Sequence, residues 1–221
     1  MKYYPINLDI KNKNCLVVGG GAVGARKAST LIKCGAATTV ISLKFIPEFE
    51  NIQRRGATLL KKKYSDNDLE KMFLVIGATD NPELNQKISR QAKEKRILCN
   101  IADLPDESDF ILPSIVDRED LLITISTSGK SPALAKKIRM KLEQEFGDEH
   151  TAFIILMGRI RNKLLSQNHA PDEHKKIFKD LVNSELIHTI KDKDNTKTND
   201  LLHKILGKGY TYENLLAGDV K

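Results

Sequence analysis

Over the first half of the chain, short aliphatic and β-branched runs alternate with stretches whose apolar positions recur every three or four residues. That alternation is the mark of a parallel sheet wrapped by helices. Cys15-Leu16-Val17-Val18 predicts a first strand, and Ala22 to Cys34 a helix with Val23, Ala28, Leu31 and Ile32 on one side and Gly35 just past its end. Thr38-Thr39-Val40-Ile41 predicts the second strand, a helix around Pro47 to Arg54 follows, and Ala57 to Lys61 predicts the third strand. Asp66 to Lys71 reads as a short helix, Phe73-Leu74-Val75-Ile76 as a buried strand, Pro82 to Lys95 as a helix and Ile97-Leu98-Cys99-Asn100 as the last strand. Five strands with four crossovers predict a doubly wound sheet.

Near residue 113 the pattern changes. Phe110-Ile111-Leu112-Pro113 and Leu121-Leu122-Ile123-Thr124-Ile125 predict a hairpin across the polar turn Asp117 to Asp120. Ser131-Pro132 supplies a helix cap with Pro in the first turn, and Leu134, Ile138 and Leu142 carry that helix to Phe146 before Gly147. Beyond His150 only helical patterns remain: His150 to Ser166, Asp172 to Ile190 and Asn199 to Leu206, with the polar tract Lys191 to Thr198 expected as a flexible connection. The expected class is α/β, a Rossmann-like doubly wound parallel sheet over 1–113, then a small α+β region over 114–149 and a helical part over 150–221.

Composition narrows the partners. The chain has 221 residues, 40% hydrophobic and 29% charged, an ordinary globular balance. Trp is absent and aromatics are 5%, a poor supply for stacking bases, and no nucleic-acid reader motif is present, so no nucleic-acid partner is expected. Cys15, Cys34 and Cys99 show no CxxC spacing, which argues against a disulfide framework or a thiolate zinc site and for a reducing compartment. No apolar run approaches the ~20 residues that span a bilayer, and Met1-Lys2-Tyr3-Tyr4-Pro5 lacks the apolar region of a signal peptide. A cytoplasmic protein without a membrane partner is expected. The formal charge of +7 favours an anionic ligand without choosing one.

The chemistry begins at Val17-Val18-Gly19-Gly20-Gly21-Ala22-Val23-Gly24, a GxGxxG fingerprint at Gly19, Gly21 and Gly24 between a strand and a helix. Gly19 would allow a tight turn, Gly21 the approach of a pyrophosphate and Gly24 the contact of helix and strand, with free N–H groups of Ala22 and Val23 facing the anion. About 20 residues on, an acidic group for the adenosine ribose is expected, but Ile41-Ser42-Leu43-Lys44 stands there. Ribose recognition then falls to backbone, that of Leu43 included, or to Ser42, and Lys44 keeps a 2′-phosphate possible, so NAD and NADP are not separated by this reading. Small Ala78 and Thr79, at the end of the fourth strand, would let a cofactor approach closely, while Asp80 would contact it or cap the next helix, a role Asn81 could also take.

Taken together, Gly19 to Lys27, Ala78-Thr79-Asp80, Cys99-Asn100-Ile101-Ala102-Asp103, Phe110 to Ser114 and Ser126 to Ala135 resemble, in order and spacing across about 1–146, the signatures of the precorrin-2 dehydrogenase family, the dehydrogenase/chelatase module of siroheme synthases. The resemblance implies NAD-dependent oxidation of precorrin-2 to sirohydrochlorin, in some members followed by ferrous insertion. It also implies a homodimer with a Rossmann domain, a dimerisation region and a helical part. The family often has Ala where Gly24 stands and Gly where Ser128 stands. The methyltransferase domain of the larger siroheme synthases has no counterpart here, so methylation is expected from another protein.

The family's acid/base aspartate corresponds to Asp103. Oxidation sends a hydride to the nicotinamide and a proton to a base, and a carboxylate at the sheet's carboxyl edge suits that proton; by sequence alone Asp103, Asp106 or Glu107 would serve. The macrocycle is rimmed with carboxylates, which gives the basic excess a reason. Thr127, Ser128, Lys130 and Ser131, in a loop at a helix start, are the expected substrate contacts, with Arg118, Lys136, Lys137, Arg139, Arg159, Arg161 and Lys163 as further cations. His169 and His174 are five apart, a poor helical ligand pair, and no metal site on the protein is expected. A non-catalytic NAD(H)-sensing regulatory module is the competing reading; it leaves Asp103 and Ser126 to Ala135 unexplained.

Overall fold

The computed structural model describes residues 2–102, 104–166 and 171–217. The chain forms two compact units, Met1–Leu112 and Pro113–Lys221.

In the first unit, strands β1 (Asn14–Val18), β2 (Ala37–Ser42), β3 (Thr58–Lys61), β4 (Leu74–Gly77) and β5 (Leu98–Ile101) form a parallel sheet in the order β3-β2-β1-β4-β5. Strand order therefore reverses between β1 and β4. In open sheets of this kind the crevice at that reversal, outside the carboxyl ends of the strands, is where ligands bind. Helices α1 (Ala22–Lys33), α2 (Phe49–Arg54) and α3 (Pro82–Glu94) make the crossovers, and a 3-10 turn at Asp66–Leu69 replaces the short helix expected there.

The sheet is buried on both faces, which explains why β1 and β4 are almost uniformly apolar. Cys15 and Val17 join Val40, Leu74 and Ile76 beneath Ala25, Ala28 and Leu31 of α1 and Phe49 and Ile52 of α2. On the other face Leu16 and Val18 join Ile41, Val75, Cys99 and Ile101 against Ile88 and Ala92 of α3. Burial pushes the Cys15 thiol up to about 11, with a smaller contribution from Cys34, so Cys15 is packed as a neutral apolar group.

The second unit departs from the sequence pattern in four places. The hairpin is β6 (Ser114–Arg118) with β7 (Leu121–Ile125), not a pairing that starts at Phe110. Pro113 has no N–H for a ladder, and Phe110 belongs to the first unit, where its ring packs on the core and its carbonyl accepts from Asn100 Nδ2 at 2.9 Å. Glu119, at φ 58°, makes the two-residue loop. After α4 (Pro132–Glu145) and α5 (Asp148–Leu165), the single helix expected over Asp172 to Ile190 is two, α6 (Pro171–Val182) and α7 (Leu186–Lys191). Ser184 breaks it: its hydroxyl donates to the Leu181 carbonyl at 2.7 Å and accepts from Leu186 N at 3.3 Å, a local alternative to the helical ladder.

The polar tract Lys191 to Thr198 is no flexible connection either. Asp194 accepts from Lys197 N at 3.0 Å and caps α8 (Asn195–Leu206), so polarity there records a cap. A last helix, α9 (Tyr212–Ala217), was not legible in the pattern. Phe153, Leu156, Ile160 and Leu164 on α5 anchor this bundle's core with Leu181, Leu186, Leu202, Tyr210 and Leu215.

At the end of β3, Lys62 pairs with Asp68, whose carboxylate also accepts from Ser65 N at 2.7 Å and Ser65 Oγ at 3.0 Å. Burial acts to raise the Asp68 pKa, but Lys62 and the Ser65 donors outweigh it and hold the carboxyl below its ordinary range. A depressed folded-state pKa contributes stability that is complete above the unfolded value and lost as pH falls through the folded one. Asp68→Asn is therefore expected to lose about 1 kcal/mol at pH 7. The difference from wild type should close below the usual carboxylate range, as read by denaturant unfolding at the two pH values.

Candidate dinucleotide site

Backbone contacts fix the loop after β1. Ala78 N donates to the Val18 carbonyl at 2.8 Å and Gly19 N to the Ile41 carbonyl at 2.9 Å, tying the strand exit to β4 and β2. Gly19 then turns at φ 131°, where a Cβ would stand 2.2 Å from the Ala78 carbonyl oxygen. A Cβ on Gly24 would lie 2.1 Å from the Gly19 carbonyl oxygen, which is the close helix–strand approach that the fingerprint requires. In this chain an alanine at 24 needs a backbone shift.

Gly20 is as constrained as either, and the fingerprint reading missed it. A Cβ there would fall 2.0 Å from the Lys44 carbonyl oxygen and 2.7 Å from Ser42 Oγ, and the Gly20 carbonyl accepts from Ile46 N at 3.1 Å. The signal was the run of three consecutive glycines, whose middle position the motif treats as free.

Gly21 differs from all three. It has ordinary extended backbone, is exposed, and a Cβ on it would meet nothing within 4 Å. It precedes α1, a helix with no side-chain cap and no acidic residue in its first turn. The N–H groups of Ala22, Val23 and Gly24, at the start of the helix, precede its first i→i−4 bond, which Ala25 N makes to the Gly21 carbonyl at 2.9 Å. Open space, unspent donors and the positive end of a helix dipole suit a diphosphate.

Along the same edge of the sheet, the Ser42 hydroxyl donates to the Lys44 carbonyl at 2.7 Å and so holds the β2 exit loop in shape. Leu43 is 57% exposed and Lys44 is exposed, leaving an apolar side chain and a cation at the end of β2. At the end of β4, the Thr79 hydroxyl donates to Asn85 Oδ1 at 2.7 Å, and Asn85 Nδ2 donates to the Thr79 carbonyl at 3.0 Å. The side chain of Thr79 thus braces the loop, and Asn85, a buried polar residue of α3, was not legible as its partner. Asn81 caps α3 by accepting from Leu84 N at 2.9 Å, and Asp80 is exposed beside it.

Asp103 lies outside the described residues, as does His169. The chain reaches it from β5, where Ala102 N donates to the Gly77 carbonyl at 2.8 Å and fixes the backbone beside the end of β4. Ser108 and Asp109 hold the following turn, Ser108 Oγ accepting from Ile101 N at 2.8 Å and the Asp109 carboxylate from Cys99 N at 2.9 Å. Burial, followed by Asp109 and Glu107, pushes the Cys99 thiol up to about 12 and keeps it protonated. Asp106 is fully exposed, 3.9 Å from Lys2.

In the second unit, Thr127, Ser128, Lys130 and Ser131 share one tight turn, with Ser128 at φ 53° and Gly129 at φ 80°. Thr127 Oγ1 accepts from Ser131 N at 3.1 Å, and Ser131 Oγ accepts from Leu134 N at 3.3 Å to cap α4. Two of the four hydroxyl or cationic groups therefore shape the turn, while Ser128 and Lys130 are exposed. Several expected cations serve the fold. Arg118 donates to the carbonyls of Phe146 at 2.7 Å and Glu143 at 2.9 Å, fastening the hairpin to the end of α4. Arg139 pairs with Glu143, Arg159 donates to the Leu215 carbonyl at 3.2 Å, and Lys163 stands 4.2 Å from the Tyr210 ring centroid. Among the described residues no group of three His, Cys, Asp or Glu side chains is placed to hold a metal ion.

A parallel sheet in this strand order, with a glycine loop and an open helix N-terminus at its point of reversal, defines a dinucleotide-binding domain of the Rossmann class. Residues 6–114 match the family described as putative NAD(P)-binding, and residues 118–145 match the central part of sirohaem biosynthesis proteins. Over nearly its whole length, both of these segments included, the chain is similar to siroheme synthases. It is 34% identical over 210 residues to the siroheme synthase of Salmonella dublin, covering 94% of this chain and 46% of that protein, and 33% identical over the same coverage to that of Escherichia coli O1:K1. It thus spans about half the length of these relatives. Its fold is shared with the solved structure of SirC, precorrin-2 dehydrogenase, at a TM-score of 0.76 and 24% identity over 92% of this chain and 99% of that one.

The contrast between Gly19 and Gly21 is testable. Gly21→Ala should keep the melting temperature within about 2 °C, because the new methyl meets no protein atom, yet weaken NAD binding by about tenfold or more in calorimetric titration. Gly19→Ala, with a backbone oxygen in the way and a positive φ, should instead lower the melting temperature by several degrees, since strain of this kind costs about 1–3 kcal/mol.

Proposed function

We propose that this protein oxidises precorrin-2 to sirohydrochlorin, with NAD as the hydride acceptor. The observation that carries the reading is the unfilled approach to Gly21 at an uncapped helix start, in a chain whose match to siroheme biosynthesis proteins continues past the Rossmann domain. Gly21, Ala22, Val23 and Gly24 would hold the diphosphate, the 42–44 loop the adenosine ribose, and Ala78 and Thr79 the segment nearer the nicotinamide. When bound, the nicotinamide supplies the hydride acceptor. Asp103 takes the proton that leaves the macrocycle, so the substrate loses a hydride and a proton and NADH is formed. Ser128 and Lys130, the exposed groups of the 126–131 turn, together with Thr127 and Ser131, would receive substrate carboxylates.

Ferrous insertion into sirohydrochlorin is the second step of the same proposal, with the ion as substrate and Asp103 accepting pyrrole protons. The working form is inferred to be a cytoplasmic homodimer. Its support is the apolar surface on the hairpin and α4, where Leu122, Leu134 and Met140 are 44%, 49% and 51% exposed. Leu122→Glu combined with Leu134→Glu should convert a dimer to a monomer in sedimentation; a wild type that sediments as a monomer refutes that assembly.

Purified protein given precorrin-2 and NAD should produce NADH and the sirohydrochlorin absorbance, and ferrous ion should then convert that spectrum further. No NADH, in a preparation where an authentic dehydrogenase works, rejects the reading. Asp103→Asn should lower turnover at least about 100-fold while leaving NAD affinity close to wild type. Loss of both together would assign Asp103 to folding.

A further inference from the structure

The position about 20 residues beyond the glycines decides which adenosine ribose a Rossmann site accepts. An acid there receives the 2′-hydroxyl of NAD and repels a phosphate, whereas a cation there accommodates the 2′-phosphate of NADP. In this chain that position is the loop after β2. Its first residue, Ser42, spends its hydroxyl on the Lys44 carbonyl, and Leu43 carries no polar atom on its side chain. Lys44 is the remaining polar side chain, and it stands in the loop that lies against Gly20, one residue before the open position at Gly21.

The neighbouring strand adds charge of the same sign. Lys61 is in register with Ser42 across the parallel β2–β3 pair, and Lys62 N donates to the Ser42 carbonyl at 3.1 Å. Lys62 is neutralised by Asp68, but among the described residues Lys44, Lys61 and Lys63 have no ion-pair partner, and all three are exposed. No acidic residue falls within Ser42 to Ile46 or within Leu60 to Lys63. The carboxyl ends of both strands therefore present uncompensated positive charge where the 2′ substituent of a bound dinucleotide would lie.

Resting on the cofactor reading above, we propose that Lys44, in the field of Lys61 and Lys63, makes this site accept a 2′-phosphorylated dinucleotide as well as NAD. The lysine ammonium donates to the phosphate oxygens as a point charge on a flexible stem, and an exposed interaction of this kind is screened by salt.

Calorimetric titration of the full chain with NAD and, separately, with NADP tests this without reference to turnover. The expected result is an NADP dissociation constant within about tenfold of that for NAD at low salt, with the NADP:NAD preference falling as ionic strength rises. Lys44→Asp should shift that preference toward NAD by about 30-fold or more, whereas Lys44→Arg should retain it. NADP bound over 100-fold more weakly than NAD by the wild type overturns the proposal while leaving the NAD reading intact. So does an unchanged preference in Lys44→Asp. Failure of both dinucleotides to bind overturns the cofactor reading and this proposal with it.

Discussion

Three carbonyl oxygens hold the loop after β1 in place. Those of Ala78, Lys44 and Gly19 occupy the space where side chains of Gly19, Gly20 and Gly24 would start, each within 2.2 Å of an ideal Cβ position. Because such distances never occur between real atoms, the loop keeps this path only while those residues lack Cβ atoms. The contacts reach three different elements: the exit of β4, the exit of β2 and the loop itself. The geometry of the ligand crevice is thus set by backbone packing, which is stiffer than any arrangement of side chains.

That stiffness matters because of what α1 omits. α3, α4 and α8 spend a side-chain acceptor on their first N–H groups, from Asn81, Ser131 and Asp194 respectively. α5 begins after a glycine too, but carries Asp148 and Glu149 in its first turn. α1 has neither a capping side chain nor an acid. A helix start left in this condition forgoes roughly 1 kcal/mol of capping energy. The same helix would satisfy its donors on an anion, and the carbonyl cage around the glycines fixes where that anion must sit.

Most of the first unit was legible because its sheet is buried on both faces, so β1, β4 and the helix stripes carry strong periodic signals. What escaped was governed by single polar atoms. Ser184 splits one expected helix into two, and Asp194 turns an expected linker into a helix start. Pro113 and the Asn100 bond to the Phe110 carbonyl push the hairpin four residues downstream. In the site, the glycines at 19, 21 and 24 were readable from spacing, but Gly20 and the Thr79–Asn85 pair were not, because their partners are distant in sequence and known only once the strands are adjacent. Ser108 and Asp109 brace the turn after β5 in the same non-periodic way.

The net charge of +7 was a cruder guide than it looked. Arg118 and Arg159 direct their guanidinium groups at backbone carbonyls, Arg139 pairs within its own helix, and Lys163 rests over a tyrosine ring. A cation whose donors are spent on carbonyls still adds to the long-range field that steers an anion, but it offers no directed bond on arrival. The lysines left exposed include Lys130, Lys136 and Lys137 in the second unit, and Lys44, Lys61 and Lys63 along the edge of the sheet. The exposed positive charge is divided between the two units, and the group on the first lies along the sheet edge that carries the glycine loop. In the function proposed above, the lysines along the sheet edge would serve the dinucleotide and those around 130–137 the polycarboxylate substrate.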